Sequence, residues 1–586
     1  MKKDSRAQHE FNFLRKQYTR LKHQVAEAKN NELWRLESII RSRIKDMKAL
    51  RPGDLNGYQQ VFDGYVALLE NVSVRLLERY NATNKTDYVF EQVVKGNFTA
   101  YLHSGIISVL VTNHIPKIVA EEYSNYLPKN PKDEYPAARK LKRKFILHLG
   151  ATNTGKTYNA LQRLKECDNG IYLAPLRILA LENFERLNRE AVPCNLLTGE
   201  EEVIVEGARH SSCTVEKADL TKTYSVAVID EVQMLSDNQR GDAWTRAILG
   251  LRCEEIHLCG SVNVKDQLVK MIGDCGDDME IRTYNRMVPL QIQRKIVSFS
   301  DVQRGDAFVA FSKKKVLSLS RYFADHGVKN SVIYGDLPPE VRRLQYDSFI
   351  TGENQVLVST DAIGMGVNLP IRRIVFTETE KFDGEEFRRL KSQEVKQIAG
   401  RAGRIGIYEI GYVASMGDDI DFLESSLETD DAEIEQAIVG PSEALLKVKR
   451  LPLKEKIALW STREEKLDCY RKKDVRDFIL ILDGLKPYKL DEAVEWRLMM
   501  LPFDVNNERL LLLFLEYVEE CFVIKAEELS KPDLEASGLS FYEEYYQKIN
   551  LYYSFSKAMN LPFDEKWVHD ARKRVCEEIN ELLSVT

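Results

Sequence analysis

The pattern of apolar and polar positions changes character twice along the chain. Near the start, Phe11, Leu14, Tyr18, Leu21, Val25 and Ala28 recur at alternating spacings of three and four, which sets them on one stripe of a helix. Leu36, Ile40, Ile44 and Met47 continue a stripe up to Pro52-Gly53, which breaks it. A second helical stretch runs to about Ile118, and Pro128, Pro131 and Pro136 then punctuate a linker. From Phe145 onward, short β-rich runs alternate with helical segments: Phe145–Leu149, Ile171–Leu173, Val226–Ile229 and Ile256–Cys259. A second set follows at Ala307–Phe311, Val332–Tyr334, Val356–Thr360, Ile374–Phe376 and Tyr412–Ala414. Strand–helix alternation predicts parallel sheets, and two sets separated near Pro289 predict two α/β units in tandem. After an acidic run from Asp418 to Glu435 the strand signal is gone, and helical sequence continues to Thr586. The expected organisation is a helical domain over 1–140, α/β domains over 141–290 and 291–425, and a helical domain over 426–586.

Composition narrows this picture. With 586 residues, 44% hydrophobic and 30% charged, the chain has apolar material for several cores, which excludes disorder over most of its length. No apolar run approaches the roughly 18–20 residues of a membrane-spanning helix. The N-terminus has no apolar signal segment, and Asp4 and Glu10 do not suit a matrix-targeting peptide. Nine cysteines without a CxxC pair support neither a zinc knuckle nor a disulfide framework, so a reducing compartment is expected. The net charge of −6 hides local differences: between Lys2 and Arg51 the basic residues outnumber the acids 14 to 6. That segment reads either as the solvated face of a packed helix or as a basic rim for nucleic acid. Arg139–Lys144 reads as a basic linker, with phosphate contact as the other reading. Tyr542, Tyr545, Tyr546, Ile549, Tyr552 and Tyr553 fall at helical spacing and read as core rather than as a base-stacking platform, because Glu543 and Glu544 sit among them.

The first α/β unit carries recognisable chemistry. Gly150-Ala151-Thr152-Asn153-Thr154-Gly155-Lys156-Thr157 matches GxxxxGK[ST], follows a strand, and opens a helix with Tyr158, Leu161 and Leu164 expected on one face. Such a loop aims successive backbone N–H groups at phosphate oxygens. Lys156 would neutralise the β- and γ-phosphates of ATP, and the Thr157 hydroxyl would ligate Mg²⁺. The run Val226–Ile229 ends in Asp230-Glu231-Val232-Gln233. An acid at the end of a buried strand needs a cation, so Asp230 is expected to hold Mg²⁺ and Glu231 to orient or deprotonate water.

In the second unit, Gln397-Ile-Ala-Gly400-Arg401-Ala-Gly403-Arg404 is expected on or at the start of a helix, with both arginines on one face. An arginine supplied from a neighbouring unit stabilises charge on a transferring phosphoryl group. Upstream, Ser359-Thr360-Asp361-Ala-Ile-Gly364-Met-Gly366-Val-Asn368 suits backbone contact with phosphate and sensing of the nucleotide. The segment Glu378–Phe387, centred on Asp383-Gly384, reads as a hairpin that is either a strand-separating wedge or a sheet edge.

Taken in order, a phosphate loop, DExQ, TDAxGMGxN and QxxGRAGR resemble a superfamily-two helicase. Closer still, GATNTGKT, APLRILALE (174–182), VPCNLLTGEE (192–201), HSSCTVE (210–216), AVIDEVQM (227–234) and AWTRAILGL (243–251) resemble the Suv-three type of ATP-dependent RNA helicase. HLCGSVN (257–263), VIYGDLPP (332–339), TDAIGMGVNL (360–369) and QIAGRAGR extend the likeness from about Phe145 to Ala414. The resemblance implies two tandem RecA-like domains between helical flanks, ATP and Mg²⁺ as cofactors, and RNA as the partner. It implies that Gln233 senses nucleotide across the cleft, that Gln397, Arg401 and Arg404 complete the ATP site, and that Arg404 is the arginine finger. It also implies that Pro175, Arg177, Thr198, Gly199 and Thr360 line an RNA-backbone path. Helical sequence to Thr586 leaves no evident counterpart of the family tail linked to an exoribonuclease. A monomer in a bacterial cytoplasm is expected, with the mitochondrial matrix as the alternative. A DNA translocase and an ATP-gated RNA clamp without strand separation are the rival functions.

Overall fold

The computed structural model describes residues 2–30, 32–50, 55–115, 123–124, 126–365, 368–382, 387–449, 451–463 and 468–585. The expected break at Pro52-Gly53, the glycine Gly366 and the Asp383-Gly384 turn lie outside them. Two compact units emerge, one made of Met1–Lys129, Pro441–Lys466 and Lys472–Met499, the other of Asn130–Gly440, Leu467–Arg471 and Met500–Thr586. Residues of the segment 426–586 therefore fall in both.

The first unit is helical. Its long helices are Lys2–Glu27, Leu33–Ala49 and Tyr58–Asn84, with Leu453–Thr462 and Arg476–Leu485 from later in the chain. The N-terminal stripes are its core: Phe11, Leu14, Leu21, Val25, Leu36, Ile40, Ile44 and Met47 are buried, with Tyr18 and Ala28 packed at the margin. Apolar area removed from water, at roughly 25 cal/mol per Å², is what holds these helices together, since isolated helices are marginal.

The second unit is built on two parallel sheets. The first contains β1 (Lys144–Gly150), β2 (Gly170–Ala174), β3 (Cys194–Leu197), β4 (Glu202–Val203), β5 (His210–Thr214), β6 (Thr223–Ile229), β7 (Arg252–Gly260) and β8 (Asp278–Tyr284). Their order is β4-β3-β5-β2-β6-β7-β1-β8, and only the β3–β4 pair is antiparallel. The second contains β9 (Leu290–Ile292), β10 (Asp306–Val309), β11 (Asn330–Ile333), β12 (Val356–Ser359), β13 (Arg373–Phe376) and, after a separate hairpin of β14 (Glu380–Phe382) and β15 (Phe387–Arg389), β16 (Gly411–Ser415). Its order is β11-β12-β10-β13-β16-β9, with every described pair parallel. β6, β10, β12 and β13 are apolar runs buried nearly throughout, as parallel strands covered on both faces must be. Residues 285–289 connect β8 to β9 and so join the two sheets.

Two local expectations need correction. The helix Lys156–Lys165 buries Ala160, Leu161 and Leu164, whereas Tyr158 is 56% exposed under the Arg186 guanidinium. At about 100° of rotation per residue, Tyr158 lies too far from the middle of the buried arc to share it. The arginines 401 and 404 are not on a helical face: the helix is Ser392–Ala399, so Gln397 is helical while both arginines follow in a turn. Gly403 ends any helical continuation with φ +79°, and its Cα faces Gly411 and Val288 so closely that a side chain would clash. The hairpin β14–β15 forms its own two-stranded sheet and is not an edge of the larger one.

Candidate functional site

Parallel strands deliver their carboxyl ends to one edge of a sheet, and ligands of α/β folds bind there. Gly150 ends β1, Asp230 follows β6, Ser261 follows β7, Pro175 follows β2, Thr198 follows β3 and Thr360 follows β12. The turn after Gly150 is tight enough to force unusual backbone: Asn153 has φ +58° and Gly155 φ +81°. Thr154 stays inside the loop, donating to the Ala151 carbonyl at 3.0 Å. Lys156 folds back over the loop, its ammonium donating to the Gly150 and Ala151 carbonyls at 2.6 and 2.5 Å. Burial holds that ammonium below its ordinary pKa, offset in part by the carboxylates of Glu231 and Asp230.

Thr157 begins the helix and donates its hydroxyl to Asp230 at 3.0 Å. The other Asp230 oxygen accepts from Tyr172 at 3.1 Å, and the Glu231 amide donates to the first at 3.0 Å. Trp244 fixes the backbone here by donating to the Asp230 carbonyl at 2.9 Å. Thus Asp230 is buried with hydroxyls and an amide around it and no cation among its hydrogen-bond partners. Burial first, and then the charge of Glu231, push its carboxyl up to about 6. A buried carboxylate beside a threonine hydroxyl is the donor set that suits Mg²⁺, which is usually held by one or two protein oxygens plus phosphate. Glu231 sits at φ +50°, a strained conformation for a non-glycine residue, and Gln233 donates to its carboxylate. The Gln233 carbonyl oxygen in turn accepts from the Ser261 amide at 3.2 Å.

The second sheet meets this loop directly. Asn153 donates to the Gly400 carbonyl at 3.0 Å, and a Cβ on Gly400 would come within 2.1 Å of the Thr152 hydroxyl, which explains the glycine. Arg401 donates through Nε to the Gly364 carbonyl at 3.0 Å, and Gln397 reaches the same carbonyl at 3.4 Å. Burial lowers the Arg401 pKa, and the strongest opposing influence is the Glu231 carboxylate of the other sheet. Arg404 is half-buried, and its charge is felt at Glu182 on the helix Arg177–Arg189. Two residues that carry no motif belong to this site as well: Tyr172, through Asp230, and Arg286, whose guanidinium bonds carbonyls on both sheets.

The residues expected along a nucleic-acid path are only partly gathered. Arg177 lies at the start of its helix with its guanidinium on Glu200 at 2.6 Å, Glu201 at 3.0 Å, Glu340 at 2.7 Å and the Tyr546 hydroxyl at 3.0 Å. Thr198 shapes the loop that presents these acids, its hydroxyl accepting from the Glu201 amide at 2.9 Å, and Gly199 faces Pro502. Pro175 is buried, with its carbonyl accepting from Arg240 at 2.7 Å. Thr360 belongs to the second sheet, where its hydroxyl accepts from the Ala362 amide. The tyrosines near the C-terminus are mainly core: Tyr546, Tyr552 and Tyr553 are buried on the helix Leu539–Met559.

Known families match in the same order. A DEXQ-box helicase domain of Suv3 matches residues 131–284, a helicase conserved C-terminal domain 290–406, and an ATP-dependent RNA helicase SUV3 C-terminal domain 539–585. A mitochondrial DExH-box ATP-dependent RNA helicase, DExH16 of Arabidopsis thaliana, is 37% identical over 470 residues, covering 77% of this chain and 82% of that protein. The mitochondrial ATP-dependent RNA helicase SUV3 of Oryza sativa is 45% identical over 53% of this chain and 54% of its own length. The human mitochondrial helicase SUPV3L1 is 43% identical over 51% of this chain and 40% of its own. These relatives are eukaryotic, and the expectation of a bacterial relative finds no support in them. With the three domain matches in sequence and a relative covered over most of its length, the chain belongs to the Suv3 family of ATP-dependent RNA helicases.

Proposed function

We propose that the second unit is a pair of RecA-like domains that hydrolyse ATP between them and use the resulting opening and closing to move along RNA and separate its strands. The observation that carries this reading is the contact of the phosphate loop with the arginine turn of the other sheet, Asn153 on the Gly400 carbonyl. A nucleotide held by the loop then lies within reach of groups from both sheets, so its hydrolysis changes what joins them. In this reading Lys156 and the loop amides of residues 150–155 hold the β- and γ-phosphates. Thr157 and Asp230 would hold Mg²⁺, which would neutralise developing phosphate charge when bound. Glu231 orients the attacking water and Gln233 fixes Glu231. Arg401 is occupied by the Gly364 carbonyl, whereas the Arg404 guanidinium has no hydrogen bond or ion pair among the described residues, which favours Arg404 as the finger.

RNA would pass the carboxyl ends of the strands, along Pro175, Arg177, Thr198, Gly199 and Thr360. The hairpin β14–β15 is the proposed wedge. Lys381 ties it to Asp361 at 2.7 Å and to Glu394 at 2.8 Å, and the aromatic pair Phe382 and Phe387 is exposed on it. The mitochondrial names of the relatives favour the mitochondrial matrix over a bacterial cytoplasm.

The deciding experiment compares ATPase turnover with poly-RNA and poly-DNA, then unwinding of tailed duplexes, in wild type, Arg404→Ala and Arg401→Ala. RNA-stimulated turnover with duplex separation is expected, and because arginine fingers contribute about 10³–10⁵ in turnover, Arg404→Ala should cut kcat at least about a hundredfold with ATP binding far less affected. Stimulation by DNA alone would favour a DNA translocase, and turnover without unwinding would favour a clamp. A near-normal kcat for Arg404→Ala would move the finger to Arg401.

A further inference from the structure

Arg286 sits in the connection 285–289, and its guanidinium is spread over four backbone carbonyls. Nε donates to Val288 at 2.5 Å, one terminal nitrogen donates to Thr152 at 3.3 Å and to Gly400 at 2.8 Å, and the other donates to Ala402. Thr152 belongs to the phosphate loop, while Gly400 and Ala402 belong to the arginine turn of the other sheet. One side chain from the connecting segment therefore bonds both halves of the cleft.

The acceptors include no acid, unlike those of the buried Arg143 and Arg373, which meet Asp277 and Asp306 at 2.5 Å each. Arg286 has neutral carbonyls, and burial pushes its pKa down to about 10 without an opposing carboxylate. A planar fork bonded to carbonyls fixes backbone geometry. The neighbourhood is close-packed as well: Val288 lies against Gly403, and Gly400 lies against Thr152.

Building on the reading of this cleft as an ATP site, we propose that Arg286 is a positioning residue for hydrolysis. It clamps the phosphate loop to the arginine turn, so that Arg401 and Arg404 are brought to phosphates held by Lys156, and it gives up the clamp when the cleft opens. Arg286 does not contact the reacting atoms; it sets the distance between the groups that do.

The test uses the full chain as wild type, Arg286→Ala, Arg286→Lys and Lys156→Ala, with RNA-stimulated kcat, ATP affinity by titration with a fluorescent ATP analogue, and melting temperature measured for each. Because misplacing catalytic groups by about an ångström costs on the order of a hundredfold, Arg286→Ala should lose about that much kcat. An interaction that acts only on the transition state leaves binding alone, so ATP affinity should stay within about threefold. Lysine should recover little, because a point charge cannot bond four carbonyls at once. Millimolar guanidinium should restore turnover to Arg286→Ala but not to Lys156→Ala. The proposal is overturned if Arg286→Ala keeps kcat within about twofold of wild type. It is equally overturned if kcat, affinity and melting temperature fall together and guanidinium restores none of them, since that is an ordinary packing defect. Retention of ATPase by Lys156→Ala would instead remove the cleft reading itself, and this proposal with it.

Discussion

Asp230 shows how much of the site is decided by the environment of one side chain. Its folded pKa of about 6 lies above the ordinary 3.8, because burial and then Glu231 disfavour the charge. The unfolded chain therefore releases this proton first, and the carboxylate costs stability as pH rises from about 4 through about 6. In nucleotide-free protein, Asp230→Asn should melt above wild type at about pH 7.5, with the difference gone by about pH 4, although ATPase is lost throughout. Calorimetry at the two pH values checks this. A variant that melts lower at the higher pH would mean that the carboxylate has a cationic partner after all. The strained Glu231 next to it costs on the order of 1 kcal/mol by its φ alone, so this corner is held in place by what surrounds it.

Among the elements, the helix Leu539–Met559 joins parts of the second unit that lie far apart in sequence. Its Tyr546 hydroxyl lies 3.2 Å from Glu200 beside the first sheet and 2.9 Å from Glu340 at the start of the helix Pro339–Thr351. One turn earlier, Glu543 accepts from Tyr334 at 2.6 Å and pairs with Lys313. Hydrogen bonds to charged groups contribute about 1.5–3 kcal/mol, so Tyr546→Phe should lower stability by about that much in chemical denaturation. Tyr158→Phe, on an exposed ring, should stay within about 0.5 kcal/mol. Equal effects would show that the junction is not where its geometry puts it.

The legibility of elements and site follows the same physics. β1, β6, β12 and β13 are plain in the sequence because a strand buried on both faces reads as an apolar run. β5 escapes, although all five of its residues are buried, because they are His210, Ser211, Ser212, Cys213 and Thr214. Ser212 donates to the Ala180 carbonyl at 2.6 Å and His210 meets the Leu164 carbonyl at 3.0 Å, so polarity is satisfied internally and no hydrophobic pattern records it. The GxxxxGK[ST] loop and Asp230 are legible because a fixed glycine–lysine spacing after a strand, and an acid closing an apolar run, stand out in the sequence. Tyr546 and Arg286 are not, since one meets acids hundreds of residues away and the other bonds carbonyls, which every residue has.

For the whole molecule, the separation of ATP and RNA sites is the property to test. Lys156 is spent on the loop, while Arg177, Thr198 and Gly199 lie beyond β2 and β3, with β6 and β7 between β2 and β1 in the sheet. Lys156→Ala is expected to abolish hydrolysis yet bind single-stranded RNA within a few-fold of wild type, measured by fluorescence anisotropy. Affinity should fall with salt by about 0.7 counterions per phosphate neutralised. A flat salt response would point to base stacking, and joint loss of both activities would show that the sites overlap. Arg177 adds a condition: three glutamates hold its guanidinium, so an RNA phosphate reaching it must displace carboxylates first.

The register of the first sheet has a consequence for which kinds of genetic change the chain can absorb. Leu149 lies opposite Gly260 and Gly150 opposite Tyr284, so the root of the phosphate loop is flanked by the strand leading to Ser261 and the strand leading to Arg286. That alignment is made by backbone ladders, and most side-chain exchanges in β8 leave it intact, the more so because β8 is largely exposed. Adding or removing one residue within β8 is different in kind. It would slide Arg286 by about 3.3 Å, farther than a hydrogen bond tolerates, and would turn the β8 side chains on one side of the change to the opposite face. Over this stretch the chain can drift by substitution but is closed to insertion and deletion.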